Sequence, residues 1–280
     1  MRPLIHTQLA SQGDQRGEKY ANQVTELSIE PGQEARPLIT VVVPSFNQGQ
    51  FLEAALLSIF EQNLPIEVFV MDGGSTDNSI EVIKRYEDQL TGWRSHKDDG
   101  QSAAINEGVA LGSAPYVCWL NSDDFYYPNA LHSLYNRIAF SNAPFVYGKC
   151  WTTSENGTKT VPYLTLPFIG YLFANYCFVC QPGTLIRRSD WERVSGLDEK
   201  LQMAMDYQLW WKLVNLAGKP DYCKEFVAAT RSHENTKTHN NGRLHYQESM
   251  TVVKQYWGRV PLKWFITLPL MNLLRRLRVI

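Results

Sequence analysis

The chain has 280 residues, is 44% hydrophobic and 20% charged, and carries a formal net charge of −1. Such a length can bury a full core, and the near-neutral charge leaves no global basic field for nucleic acid, which is therefore not an expected partner. No uninterrupted run of about 18 apolar residues occurs, so a membrane-spanning helix is not expected.

The first segment, 1–36, is polar and has no apolar stretch suited to a secretory signal; it reads as a flexible arm. "PLITVVVPSFN" then gives a β-branched run stopped by Pro44, a buried strand followed by a loop. Phe51 to Phe60 repeats Leu52, Ala55, Leu56 and Ile59 at helical spacing. Ile66 to Met71 is the next strand, followed by the Gly73-Gly74 turn, and Asp77 is placed to cap a helix containing Ile80, Val82 and Ile83. A turn at Asp99-Gly100 opens a short helix that stops at Gly112, and Tyr116 to Leu120 is a third strand. Strands alternating with short helices at this spacing predict right-handed βαβ units on a mostly parallel sheet.

The second half is mixed. Phe145 to Thr153 and Thr158 to Tyr163 predict a hairpin around Asn156-Gly157. "CQPGTLIRR" reads as a strand interrupted by Pro182-Gly183, and Asp206 to Ala217 as a helix ended by Gly218. "YCKEFVAATRS" is a further strand. The five cysteines are an odd number scattered through hydrophobic strings, which suits a reducing compartment. Cys177 and Cys180 share CxxC spacing, but no second pair accompanies them, and they read as packed thiols. The expected location is cytoplasmic.

In open parallel sheets, ligands bind beyond the carboxyl ends of the strands. Asn47, Asp72 and Asp123 each lie at or just past such an end, so three polar ends should share one rim. The strand "YVCWL" runs straight into Asn121, Ser122, Asp123 and Asp124. Adjacent carboxylates repel each other and resist desolvation. Either the strand surfaces there, or the pair holds a hard divalent cation such as Mg²⁺ or Mn²⁺. Neither a P-loop nor a dinucleotide-binding glycine pattern is present.

"VVVPSFNQGQFLEAALLSIFEQ", "MDGGSTDNS", "DGQSAAINEGVALGSAPYVCWLNSDD" and "GLDEKLQMAMDYQLWWKL" together resemble the family-2 glycosyltransferases. The resemblance covers residues 38–233. It implies a GT-A fold: a Rossmann-like, mostly parallel central sheet flanked by helices, with a mixed acceptor-side half and a C-terminal helical tail. The expected divisions are 37–125 for the nucleotide-binding half, 126–240 for the acceptor-side half and 241–280 for the tail.

The resemblance also implies roles. Asn121-Ser122-Asp123-Asp124 matches the DXD-type element, with Asn at its first acidic position. Asp124 is then a metal ligand and Asp123 a contact to ribose or metal. Pro44, Ser45 and Phe46 form the loop beneath the base, with Phe46 stacking on it. Asp72 accepts a hydrogen bond from the base, or else caps the Gly73-Gly74 turn. Gln101 reaches the nucleotide from a helix start, where Asp98 and Asp99 are alternatively caps. Asp206, in "MAMDYQLW", matches the carboxylate of an ED element with Met205 in the first place, and is implied as the general base; by residue type alone it is a first-turn carboxylate favoured by the helix dipole. His233 is implied near the metal or diphosphate, or is a loop histidine. Lys237 either neutralises a phosphate or is solvated, and Gly183 either lets the backbone approach a sugar or marks a bulge.

The reaction implied is inverting transfer of a sugar from a nucleotide-diphosphate donor to an acceptor hydroxyl, on a saccharide or lipid-linked acceptor, in surface polysaccharide or glycolipid synthesis. The alternatives are a nucleotidyltransferase and a non-catalytic sugar-nucleotide or lipid-surface binding module. Processive synthesis is not expected, since no Gln-x-x-Arg-Trp element is present. The tail from Arg259 onward holds Lys263, Arg275, Arg276 and Arg278 among apolar residues and no acid. Two readings are open: a helix lying on an anionic membrane, peripheral to its inner face, or a segment docked on the domain.

Overall fold

The computed structural model describes residues 36–234, 236–237 and 241–266, all within the compact unit Arg36–Ile280. The predicted arm, apart from Arg36, and the tail beyond Ile266 lie outside the described residues.

Nine strands form one sheet: β1 (Ile39–Ser45), β2 (Ile66–Asp72), β3 (Gly92–Ser95), β4 (Tyr116–Trp119), β5 (Phe125–Tyr126), β6 (Phe145–Thr153), β7 (Lys159–Pro162), β8 (Thr184–Arg187) and β9 (Asp221–Arg231). Their order is β3-β2-β1-β4-β8-β6-β9-β5, with β7 on β6. The pairs β3–β2, β2–β1 and β1–β4 are parallel, as the βαβ spacing predicts. Beyond β4 the sheet turns mixed: β8 is antiparallel to β4 and β6, while β9 runs parallel to β6 and antiparallel to β5.

Eight α-helices lie wholly within the described residues: α1 (Gly49–Phe60), α2 (Ser79–Arg85), α3 (Gln101–Leu111), α4 (Ala130–Ala139), α5 (Gly170–Asn175), α6 (Arg188–Arg193), α7 (Met205–Ala217) and α8 (Gly242–Trp257). None is long and apolar enough to cross a membrane. The sheet separates two apolar clusters, and β1 shows why. Ile39, Val41 and Val43 pack with Leu52, Leu56 and Ile59 of α1, whereas Val42 faces Ile105 and Val109 of α3. Side chains alternate between faces along a strand, so an unbroken β-branched run fills both sides. Gly108 lets α3 come that close: a Cβ there would stand 2.5 Å from Val42 Cγ1.

The register gathers polar strand ends. Ser45 pairs with Asp72, and Asp72 with Ser95, so parallel strands bring their carboxyl ends to one rim. The loop after β4 joins that rim, because Leu120 N donates to Val42 O at 2.9 Å. From the other half, β9 delivers Arg231 through its pairing with β5 and β6.

Candidate active site

Asp123 and Asp124 sit where the two halves of the sheet meet. Asp124 is buried; Arg231 N donates to its Oδ1 at 3.1 Å and Asn121 Nδ2 to its Oδ2 at 3.0 Å. Burial, reinforced by the charge of Asp123, holds the Asp124 carboxyl well above the usual carboxylate range. Asp123 Oδ2 lies 3.0 Å from His233 Nε2 and accepts from Gln48 Nε2 at 3.4 Å. Arg231 holds the backbone behind the pair. Its Nε donates to Asp123 O at 2.8 Å, and its guanidinium lies over Phe51 and Phe125. The His233 ring packs on Phe51 with centroids 4.8 Å apart.

Asn121 is the hub beside them. It accepts from Gln101 Nε2 at 2.7 Å, and its own Nδ2 reaches Gln181 Oε1 at 3.1 Å as well as Asp124. Gln181 in turn donates to Trp119 O at 2.7 Å. Gln101 therefore stands at the rim from the first residue of α3, as its placement after the Asp99-Gly100 turn predicts, and Asp98 caps that turn by accepting Gly100 N at 3.0 Å.

Asp206 occupies the first turn of α7 and lines a cavity of about 540 Å³ that Asn121 and Asp124 also line. Aromatic residues make much of the wall: Tyr163, Tyr176, Tyr207, Tyr246 and Trp264. Burial raises the Asp206 carboxyl above its ordinary value, while the Tyr207 N–H at 2.7 Å and the neighbouring His245 draw it part of the way back. A carboxylate whose proton affinity is raised by burial in an aromatic cavity is a stronger base than an exposed one.

The loops after β1 and β2 form the other side of the rim. Asp72 is fully buried, and its carboxylate accepts from Gly74 N, Ser75 N, Ser75 Oγ and Ser95 Oγ at 2.5–3.0 Å. These bonds make the turn-capping role the one visible for Asp72. Asn47, in the left-handed region at φ 51°, ties the two loops by accepting Thr76 N at 2.8 Å. Pro44 and Ser45 are buried, and Ser45 Oγ finds no protein partner. Phe46 is 61% exposed, with its ring beside Gly73.

A family model described as "Glycosyl transferase family 2" matches residues 40–194, more than half of the chain. The chain belongs to glycosyltransferase family 2. Among its relatives, the Staphylococcus aureus poly(ribitol-phosphate) beta-N-acetylglucosaminyltransferase TarP is 32% identical over 117 residues, 40% of this chain and 36% of TarP. Escherichia coli chondroitin synthase is 22% identical over 241 residues, 85% of this chain and 35% of the synthase. The chain thus spans little more than a third of either relative. Two solved structures share its fold. S. aureus TarS 1–349 in complex with UDP-GlcNAc has a TM-score of 0.64 at 16% identity, covering 78% of this chain and 66% of that one. The mannosyltransferase PcManGT from Pyrobaculum calidifontis, in complex with GDP-Man and Mn²⁺, has a TM-score of 0.60 at 17% identity, covering 85% and 70%. The fold is GT-A.

In this family-2 chain several site residues escape a reading of the sequence. Gln48, Gln181 and Arg231 carry no motif of their own; only the adjacency of Arg231 to His233 hints at its place. His245, Tyr246 and Trp264 enter the cavity from beyond the matched region. Gly183 serves packing: it lies in a 3₁₀ turn, where a Cβ would stand 2.7 Å from Cys150 Sγ. All five cysteines are free thiols, and Cys177 and Cys180 line the cavity with burial pushing both thiols up. Lys237 donates to Gln101 Oε1 at 3.2 Å and to Gln202 O at 3.3 Å.

The described part of the tail is docked. Trp264 is buried and donates to Ala174 O at 2.8 Å, and Lys263 donates to Asn175 O at 3.0 Å and lies over Tyr176. Leu262, Phe265 and Ile266 are exposed.

Proposed function

We propose that this protein transfers a sugar from a nucleotide-diphosphate donor to an acceptor hydroxyl with inversion, in the synthesis of a surface polysaccharide or glycolipid. The observation that carries this reading is that Asp124 and Asp206 line one cavity, contributed by opposite halves of the chain. One end offers the carboxylate rim where a diphosphate would lie, and the other offers a base. Nucleotide sugars bound to TarS and PcManGT on the same fold support the donor class.

The nucleotide would lie on the loops after β1 and β2, contacting Pro44, Ser45, Phe46, Asp72, Gln101 and Asp123. Phe46 presents an open ring face and Ser45 an unpartnered hydroxyl, both features a bound nucleoside would use. Asp206 would take the proton of the acceptor hydroxyl as it attacks the anomeric carbon. The aromatic wall would orient the acceptor sugar and exclude water.

A divalent ion, Mg²⁺ or Mn²⁺, fits the donor set of Asp123, Asp124 and His233. Among the described residues no three His, Cys, Asp or Glu side chains converge as a ready metal centre. Such ions use one or two carboxylates together with substrate phosphates, so a preformed cage is not required. Asp123 Oδ2 and His233 Nε2 already share one locus, and Asp124 follows Asp123 directly in the chain. When bound, the ion would offset charge on the leaving diphosphate. The Asp124 and His233 side chains would hold it, with Asp123 contacting ribose or ion.

Peripheral contact with an anionic membrane is supported by the exposed Leu262, Phe265 and Ile266 beside Arg259 and Lys263. The reading as a whole is tested with a panel of UDP- and GDP-sugars and Mg²⁺ or Mn²⁺, following nucleoside diphosphate release with and without oligosaccharide acceptors. Release of nucleoside diphosphate supports it, whereas pyrophosphate from a nucleoside triphosphate would support nucleotidyl transfer instead.

A further inference from the structure

The helix that carries Asp206 lacks a cap of its own. Ala204 precedes α7 and offers no side-chain acceptor, and Tyr207 stands where a capping box would place Glu or Gln. The N–H groups of the loop that leads into α7 are taken by one carboxylate on another helix. Gln202 N donates to Glu248 Oε1 at 3.1 Å, and Met203 N and Ala204 N donate to Glu248 Oε2 at 2.8 and 2.9 Å. Hydrogen bonds to an ionised acceptor are roughly twice as strong as neutral ones. Three of them converge on the residues just before the first turn of α7.

The same loop is held from its carbonyl side. Lys237 Nζ bonds Gln202 O and also Gln101 Oε1, and Gln101 bonds Asn121, the neighbour of Asp124. A continuous polar chain therefore joins Glu248, the 202–204 loop, Lys237 and the carboxylate rim. Glu248 is not what fastens α8 to the domain. Val252 and Val253 are fully buried in the apolar cluster with Leu213, and Trp257 packs on Trp211 with ring centroids 5.9 Å apart.

We propose that Glu248 is a positioning residue for transfer: it fixes where α7 begins and so holds the Asp206 carboxylate in place in the cavity. The inference rests on the reading of Asp206 as the general base. A base displaced by about 1 Å can cost up to 10²-fold in rate, and a loop whose three donors lose a charged acceptor with two oxygens would allow such a shift.

The test compares Glu248→Gln, Glu248→Asp and Asp206→Asn, using the UDP- or GDP-sugar that gives the fastest wild-type turnover in the donor panel. In Glu248→Gln, kcat for transfer should fall about 10- to 100-fold, with donor Kd by calorimetry and acceptor KM within about twofold of wild type. Glu248→Asp keeps the charge but withdraws it by one methylene, and its kcat should lie between the two. A merely structural residue would not lower kcat while sparing both affinities. Wild-type kcat in Glu248→Gln, with Asp206→Asn inactive, would overturn the positioning role and leave the base assignment standing. Full activity of Asp206→Asn would remove the base assignment, and this inference with it. Unfolding of both Glu248 variants would make the residue structural and also overturn the proposal.

Discussion

Asp124, in the loop after β4, and Asp206, in the first turn of α7, line one cavity although the chain reaches them through unrelated segments. Burial raises both carboxyls, in different surroundings. Asp124 sits beside Asp123 and accepts Arg231 N, while Asp206 stands among aromatic rings. Under the proposed function, these environments would separate a cation-holding carboxylate from a proton-accepting one.

The raised carboxyl of Asp206 fixes the sign of a pH dependence. A base works ionised, so kcat should fall as pH drops through a value above the ordinary carboxylate range. Stability should respond in the opposite sense. A carboxyl whose folded pKa exceeds its unfolded value weakens folding once pH rises past it. Asp206→Asn should therefore raise Tm at neutral pH, with the gain vanishing in acid. Thermal unfolding of both proteins from pH 3 to 8 checks this.

Asp124→Asn should weaken metal-supported donor binding while leaving the fold intact, because it removes a charged oxygen and changes little volume. Calorimetric titration of the nucleotide sugar with and without Mn²⁺ measures the difference. Equal metal-supported affinity in the variant would take Asp124 out of the ion's coordination.

Gly108→Ala should destabilise the protein by about 1–3 kcal/mol. The added methyl would meet Val42 Cγ1 at 2.5 Å and Cγ2 at 2.9 Å, forcing α3 off the sheet. Since α3 begins at Gln101, the rim should loosen with it, and donor affinity should fall alongside the denaturation midpoint.

Two truncations should separate the roles of the tail. Ending the chain after Ile266 leaves Trp264 in the cavity wall, so turnover should persist while binding to anionic vesicles weakens with the loss of Arg275, Arg276 and Arg278. Ending it after Gly258 also removes Trp264, a buried aromatic whose loss costs about 3–5 kcal/mol. Turnover should then fall as well. Vesicle co-sedimentation and transfer assays on the two proteins distinguish the outcomes.

Much of this molecule is legible in its residues. The β-branched run of β1, the alternation of strand and helix up to β4, and the Asn156-Gly157 hairpin all appear where their patterns place them. Strands as short as β3 and β5 carry too little periodicity, and their pairing partners decide them. Asp123 and Asp124 stand out in the sequence because two adjacent carboxylates end an apolar strand, whereas Asp206 is by residue type an ordinary first-turn helix carboxylate and is singled out only by the family resemblance. Glu248 and Arg231 could not be found that way. Their partners are backbone groups of remote loops, and no local pattern encodes which N–H a distant carboxylate will meet. Asp72 shows the limit from the other side: its residue type suits both a base contact and a turn cap, and a hydrogen-bonded turn does not by itself exclude the base contact.

The most direct test of the account is single-turnover transfer by wild type and Asp206→Asn, with donor affinity measured in parallel. The account predicts donor Kd unchanged and transfer slowed by about two to four orders of magnitude. Transfer at a near wild-type rate by the variant would contradict it.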